Sequence, residues 1–236
     1  MIVGIVGKKR NGKDTLADVL VKDYRYQKFS FASHLKALDD SILILMEDGK
    51  FDVENVQEAY ESIFKRYAVN TEQVAKEIID LYHEPRSLEL APDGKRRYAL
   101  QRLGTEVLRS KHELIHCHSL FYNEEPYAIP YTAKNIVLTD VRFINEEGAI
   151  REYGKHRGLP TAIIRVVRLK DGAPIDNTEF LDQGLEASVQ SHKSEIEMDA
   201  IREDALLINI DDHPMWVRKQ LHTFMQYMER LHGASV

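Results

Sequence analysis

The chain has 236 residues, 43% of them hydrophobic and 30% charged, with a formal net charge of −6. That composition describes an ordinary globular protein with room for one sizeable core, or for a core with a substantial insertion. It argues against a nucleic-acid-coating protein, which needs a basic face. The single cysteine, Cys117, excludes an internal disulfide and suits a reducing compartment. No secretory h-region and no apolar run of about 18 residues is present, so the expectation is a cytoplasmic chain with no membrane span.

In chain order, Met1–Val6 is an apolar run bounded by a glycine loop, the pattern of a parallel strand covered on both faces. Gly7-Lys8-Lys9-Arg10-Asn11-Gly12-Lys13-Asp14-Thr15 follows, and then a helical pattern over Lys13–Tyr24. A strand, a loop with glycines at its first and sixth positions, a lysine and a helix form the context of a phosphate-binding P-loop. The loop amides and the helix N-terminus can surround phosphate oxygens, and Lys13 can reach the terminal phosphates. Asp14 stands where a Ser or Thr usually holds magnesium. Asp14 is therefore the candidate magnesium ligand, directly or through water, and the hydroxyl of Thr15 the candidate phosphate contact. The plain alternative is a glycine turn with a solvated basic tip.

Gln27–Ala32 alternates apolar and polar residues as a second strand would, and Ser33 is placed to cap a helix running to roughly Met46. Helical periodicity covers Phe51 to about Tyr82, with Thr71 as a candidate cap for its second segment, and Pro85–Gly94 reads as loop. Arg97–Lys111 is helical with Leu100, Leu103 and Val107 on one face. Gly104 interrupts it at a cost of about 1 kcal/mol relative to Ala, which points to tight packing or a ligand.

Alternation of strands and helices returns at Asn135. Ile136–Asp140 is a strand ending in a carboxylate, Asn145–Tyr153 a helix closed by Gly154, and Thr161–Val167 a strand. Lys170–Gly184 is a polar loop, Glu186–Arg202 is partly helical, Ala205–Ile210 is the last strand, and Pro214–Leu231 is an amphipathic helix. Its stripe of Trp216, Phe224, Met225 and Met228 reads as core or as a dimer contact. Five strands separated by helices predict a doubly wound, five-stranded parallel sheet of the α/β class, a P-loop NTPase architecture. The helical stretch 33–134 is too long for a simple crossover and reads as an insertion over the ligand edge. The expected core is then 1–32 with 135–236.

Asp140-Val141-Arg142-Phe143-Ile144-Asn145-Glu146 is the second chemical motif. An aspartate at the carboxyl end of a parallel strand lies at the ligand edge, where it can act as a Walker-B-like magnesium or base residue. Arg142 can grip a phosphate bidentately. Glu146 is four residues after Arg142, so a plain helical ion pair also explains it.

At these residues the chain resembles the bacteriophage deoxynucleoside monophosphate kinases, a branch of the P-loop nucleoside monophosphate kinase superfamily. The matching pieces are the loop Gly7–Thr15, Phe31-Ala32-x-x-Leu35-Lys36, and Arg97-x-x-x-Gln101-x-Leu103-Gly104-Thr105-Glu106. Asp140-Val141-Arg142-Phe143-x-Asn145-Glu146, Arg168, His192-x-Ser194-Glu195 and the strand ending near Asn209 complete the ordered set. Two positions depart from it: His34 replaces a frequent proline, and Ile115–His118 lacks a tryptophan that relatives can carry.

The resemblance implies phosphoryl transfer from ATP to a deoxynucleoside monophosphate, giving the diphosphate and ADP. It implies ATP binding by Asn11, Gly12, Lys13, Asp14 and Thr15, and catalysis by Lys13, Asp14, Asp140 and Arg142. It further implies magnesium at Asp14 and Asp140, acceptor contacts from Lys36, Arg97, Asp140, Arg142 and Glu146, a substrate-binding insertion, and a lid over about 169–195. A homodimer is implied by resemblance alone; no nucleic-acid or membrane partner is expected. Three other readings stay open: a P-loop kinase acting on another phosphorylated metabolite, an acceptor-independent ATPase, and a zinc metallohydrolase. The last would use His112-Glu113-x-x-His116, a formal zinc-protease helix signature with Glu113 as base.

Overall fold

The computed structural model describes residues 1–8, 10–91, 96–124, 128–170, 173–174, 197–210 and 214–233. They divide into two compact units: Met1–Ser30 with Tyr131–Val236, and Phe31–Pro130.

The first unit is an α/β sheet. Its strands are β1 (Ile2–Val6), β2 (Gln27–Phe29), β3 (Ile136–Leu138), β4 (Thr161–Lys170), β5 (Ala173–Pro174) and β6 (Ala205–Ile210). The order β2-β3-β1-β4-β6 is parallel throughout, and the two-residue β5 adds an antiparallel pairing to β4. This is the expected five-stranded parallel sheet, consistent with a P-loop kinase fold. β1 lies centrally and every residue in it is buried.

Helices cover both faces of the sheet. Val3 and Ile5 of β1 pack with Leu16 and Leu20 of α1 (Lys13–Tyr24) and with Val217, Leu221 and Met225 of the C-terminal helix Pro214–His232. Gly4, which points the other way, lies against Ile150 of the helix Ile144–Arg157; a Cβ on Gly4 would stand 2.9 Å from Ile150 Cδ1 and 2.6 Å from Ile163 Cδ1. The period-two alternation of one strand thus decides which helix packs on which face. The stripe of the C-terminal helix runs through Val217, Leu221, Phe224, Met225 and Met228, whereas Trp216 is 48% exposed and lies off it.

Several boundaries differ from the sequence expectations. β2 stops at Phe29, because the chain turns at Phe31 into the helix α2 (Ser33–Glu47), which includes Ser33 instead of being capped by it. The helix expected to close at Gly154 continues to Arg157. Gly154 is internal because its helix presses on β4: a Cβ there would meet Thr161 Cγ2 at 2.1 Å. Gly158, left-handed at φ 63°, supplies the C-cap.

The second unit is helical. After α2 come α3 (Val53–Phe64), α4 (Thr71–His83), α5 (Arg97–Arg102), a π-helical segment Leu103–Leu108, α6 (Arg109–Lys111) and α7 (Ile115–Tyr122); α8 and α9 are the helices Ile144–Arg157 and Pro214–His232 of the sheet unit. Asp52 caps α3 by accepting from the Asn55 N–H at 2.9 Å, whereas Asn70, not Thr71, precedes α4. Leu38, Ile42, Val56, Tyr60, Phe64, Val74, Ile78 and Leu103 meet in one core. Pro85–Leu88 is a 3₁₀ turn. Gly104 sits in the π segment, where a Cβ would approach Leu35 Cδ2 to 3.0 Å and where its carbonyl accepts from His116 Nε2 at 3.2 Å. Packing accounts for this glycine.

The segment 171–196, apart from Ala173–Pro174, lies outside the described residues. With it go most of the expected lid, the polar loop, the start of the helix expected at Glu186–Arg202, and His192, Ser194 and Glu195. No helix among the described residues is long and apolar enough to cross a membrane.

Candidate phosphate-binding site

The site grows out of β1. Beyond Val6 the chain leaves the sheet through Gly7, and each of the two loop glycines is dictated by a different neighbouring strand. A Cβ on Gly7 would stand 2.6 Å from the Val166 carbonyl of β4. A Cβ on Gly12 would stand 2.7 Å from Asn209 Nδ2 of β6, and Gly12 is also left-handed at φ 97°. Arg10 holds a left-handed φ of 66°, unusual for a side chain with a Cβ and a kind of strain that clusters at ligand sites.

Gly12 is the N-cap of α1 and provides no side-chain acceptor for the first amides of the helix. Those donors have no partner within the helix, so the loop and helix end form a positive cradle suited to phosphate. Lys13 Nζ bends back over this cradle, donating to the carbonyls of Gly7 at 2.6 Å and Lys8 at 3.0 Å. Asn11 is buried and ties the loop to the sheet, its Nδ2 donating to the Val166 carbonyl at 3.1 Å. Thr15 is half-buried one residue beyond Asp14. Lys9 lies outside the described residues.

Asp14 points outward, with its side chain 85% exposed and 3.2 Å from Lys28 Nζ of β2. Lys28 also lies 3.6 Å from Asp18. Asp140 follows β3, whose parallel register pairs Leu138 with Gly4. Asp140 therefore leaves the sheet at the same edge as the phosphate loop, the ligand edge of such a fold. Its Oδ2 accepts from Ser30 Oγ at 2.7 Å.

Arg142 is half-buried just before α8. Glu146 is 2% exposed, and its Oε2 accepts the backbone N–H groups of Arg142 at 2.7 Å and Phe143 at 3.1 Å. A carboxylate at the third helical position that satisfies the capping amides is one half of a capping box, and it also complements the helix dipole. Phe143 has no acceptor to supply the other half. Glu146 thereby fixes the backbone that carries Arg142.

The first unit thus brings the loop Asn11–Thr15, Asp140, Arg142 and Glu146 to one edge of one sheet. Lys36 and Arg97 belong to the helical unit: Lys36 is exposed on α2, and Arg97 is half-buried as the first residue of α5. Arg96, which precedes it, is held by Asp39 through Nη2–Oδ2 at 2.6 Å, and Tyr82 Oη donates to the same carboxylate. Burial and the Asp39 charge raise the Tyr82 pKa, while its hydrogen bond to Asp39 raises that of Arg96, so both stay protonated.

Magnesium prefers an octahedron of hard oxygens, using one or two carboxylates together with waters and substrate phosphates. Asp140, with the neighbouring Ser30 hydroxyl, and Thr15 fit that requirement. Asp14 has the right chemistry, but it holds an ammonium group at contact distance. Among the described residues no group of three or more His, Cys, Asp or Glu is placed to hold a metal by protein ligands alone.

The zinc-helix reading of His112-Glu113-x-x-His116 does not survive the backbone. His112 is extended (φ −150°, ψ 99°) and α7 begins only at Ile115, so the two histidines share no helical face. His116 is buried on the Gly104 carbonyl, and burial lowers its pKa to about 3. His112 Nε2 meets His118 Nδ1 at 3.2 Å.

The sequence did not single out Lys28, Ser30 or the side chain of Asn209. Alternation along Gln27–Ala32 puts Lys28 and Ser30 in step, and Asn209 is a lone polar residue within the apolar run Leu206–Ile210. Both were available signals.

No family model matches the chain. It is 25% identical over 220 residues to a protein of Acanthamoeba polyphaga mimivirus named "Putative deoxynucleotide monophosphate kinase", covering 89% of this chain and 88% of the relative. A solved structure of a "putative kinase" from Chloroflexus aurantiacus overlays with a TM-score of 0.34 at 11% identity, covering 100% of this chain and 97% of that one. The fold assignment rests on strand order, not on this overlay. The mimivirus likeness supports a kinase, and hence a phosphotransferase, in general terms.

Proposed function

We propose that the chain is an ATP-dependent deoxynucleoside monophosphate kinase of the bacteriophage type, converting dNMP and ATP to dNDP and ADP. The observation that carries this reading is the uncapped, left-handed Gly12 cradle with Lys13 folded over it, at the same sheet edge as Asp140 and Arg142. The name of the mimivirus relative agrees with it.

In this reading the loop amides and Lys13 hold the β- and γ-phosphates of ATP. Asp140 would hold magnesium, with Asp14 contributing through water, and the bound ion would neutralise charge on the donor phosphates. An oxygen of the acceptor monophosphate attacks the γ-phosphorus in line, the bond to the bridging oxygen breaks, and ADP departs with that electron pair. The attacking oxygen is already anionic, so no general base is required and Asp140 serves charge placement only. Arg142 orients the acceptor phosphate, and Glu146 serves through Arg142 by fixing its backbone. Lys36 and Arg97 of the helical unit are the proposed further acceptor contacts. Positioning and charge neutralisation do the catalytic work.

The test is ADP release from ATP and magnesium with a panel of deoxynucleoside monophosphates, ribonucleoside monophosphates and phosphorylated metabolites, against ATP alone. Release that requires a deoxynucleoside monophosphate supports the assignment. Equal release without acceptor makes the chain an ATPase, and release only with another metabolite makes it a different kinase.

A further inference from the structure

Asn209 is the fifth of six residues in an otherwise apolar strand, is 3% exposed, and is aimed at the phosphate loop instead of the core. Its Nδ2 lies 3.4 Å from the Asn11 carbonyl, and the same nitrogen would be 2.7 Å from a Cβ on Gly12. Asn11 in turn donates from its own side chain to the Val166 carbonyl of β4. A buried chain of contacts therefore runs from β4 through Asn11 to β6: Val166 O, Asn11 Nδ2, Asn11 O, Asn209 Nδ2. Parallel pairing of β4 with β6, with Arg168 level with Asn209, sets both anchors at one edge of the sheet.

The orientation of the amide follows from its neighbour. Turned the other way, Asn209 would present Oδ1 to the Asn11 carbonyl, placing two acceptors face to face in a buried space, where an unsatisfied polar group is costly. A longer side chain has no room because Gly12 is in contact, and a shorter one leaves the loop without its β6 anchor.

We propose that Asn209 is a positioning residue for the phosphate loop. Through Asn11 and Gly12 it holds the amides of residues 12–15 in their anion-binding arrangement, without touching the nucleotide. The inference rests on the kinase reading for the identity of the ligand, but the pinning itself does not.

The experiment compares wild type with Asn209→Asp, which replaces the donor by a carboxylate facing the Asn11 carbonyl, and with Asn209→Ala, which removes it. Hydrogen–deuterium exchange is followed on peptides covering residues 7–15 and 144–157, and the KM values for ATP and for the acceptor are measured separately. Expected are faster exchange at 7–15 with unchanged protection at 144–157, and a rise of about tenfold in the KM for ATP at unchanged acceptor KM. A uniform loss of protection, unchanged exchange at 7–15, or equal changes in both KM values would overturn the proposal. Should wild type neither bind nor turn over ATP, the kinase reading fails, and loop exchange in the two variants still decides whether Asn209 pins the loop.

Discussion

Lys28 of β2 holds Asp14 of α1 at 3.2 Å, so the acidic residue of the phosphate loop is paired with a cation before any metal arrives. The pair is exposed, and such pairs contribute about 0.2–1 kcal/mol. Removing the ammonium should leave the carboxylate more available to magnesium. Lys28→Ala is expected to lower the magnesium concentration for half-maximal activity by up to about fivefold, the equivalent of that energy. Asp14→Ser, which restores a hydroxyl, should raise it. A magnesium titration of both variants checks this; an Asp14→Ser protein with wild-type magnesium dependence would show that no carboxylate is needed there.

Lys13 Nζ donates to the carbonyls of Gly7 and Lys8, both within the loop, and its loss should remove the charge proposed to face the transferring phosphoryl group while sparing the fold. Lys13→Ala is expected to reduce kcat by about 10²–10³-fold, the usual cost of losing one preorganised electrostatic contact. Its melting temperature should stay within a degree or two of wild type. Steady-state kinetics and a thermal melt on the same sample separate the two effects.

Arg142 and Glu146 should separate by readout. Arg142→Ala is expected to raise the acceptor KM with little change in the KM for ATP. Glu146→Ala removes the acceptor of two backbone N–H groups at a buried helix start and should cost about 1–2 kcal/mol of stability as well. Urea unfolding combined with acceptor titration distinguishes a positioning carboxylate from a direct substrate contact, which would shift KM at unchanged stability.

The helical unit carries two buried histidines whose protonation opposes folding. Burial lowers the pKa of His34 to about 4 and that of His116 to about 3, from 6.5 in the unfolded chain. Below pH 6.5 the unfolded chain binds protons that the folded unit refuses, so stability falls as pH falls from 6.5 toward those folded values. At pH 5.5 each histidine should cost on the order of 1 kcal/mol relative to neutral pH. Urea melts at pH 7.5 and 5.5 check the loss, and His34→Leu should remove roughly half of it.

The fold was legible because its signals are local and repeated. Apolar runs such as Ile2–Val6, period-3.6 helices and the glycine loop each announce themselves over a few residues. Boundaries were harder where packing overrides local chemistry. Gly154 reads as a helix stop but is a contact with Thr161, and Gly104 reads as a helix break but lies in a π segment against Leu35 and His116. The loop and Asp140-Val141-Arg142 could be read from spacing, since short-range order places them. The partners of those residues could not, because Lys28–Asp14, Ser30–Asp140 and Asn209–Asn11 join positions 14, 110 and 198 residues apart. The false zinc signature shows the converse: correct spacing without the helix that gives the spacing its meaning.

Phosphoryl transfer to a deoxynucleoside monophosphate is decided by quantifying both products from one reaction. ATP, magnesium and one dNMP are incubated with the protein, and ADP and dNDP are separated by chromatography and measured over time. The two should appear in a one-to-one ratio, and Lys13→Ala should slow both by the same factor of about 10²–10³. ADP accumulating without dNDP would contradict the transfer.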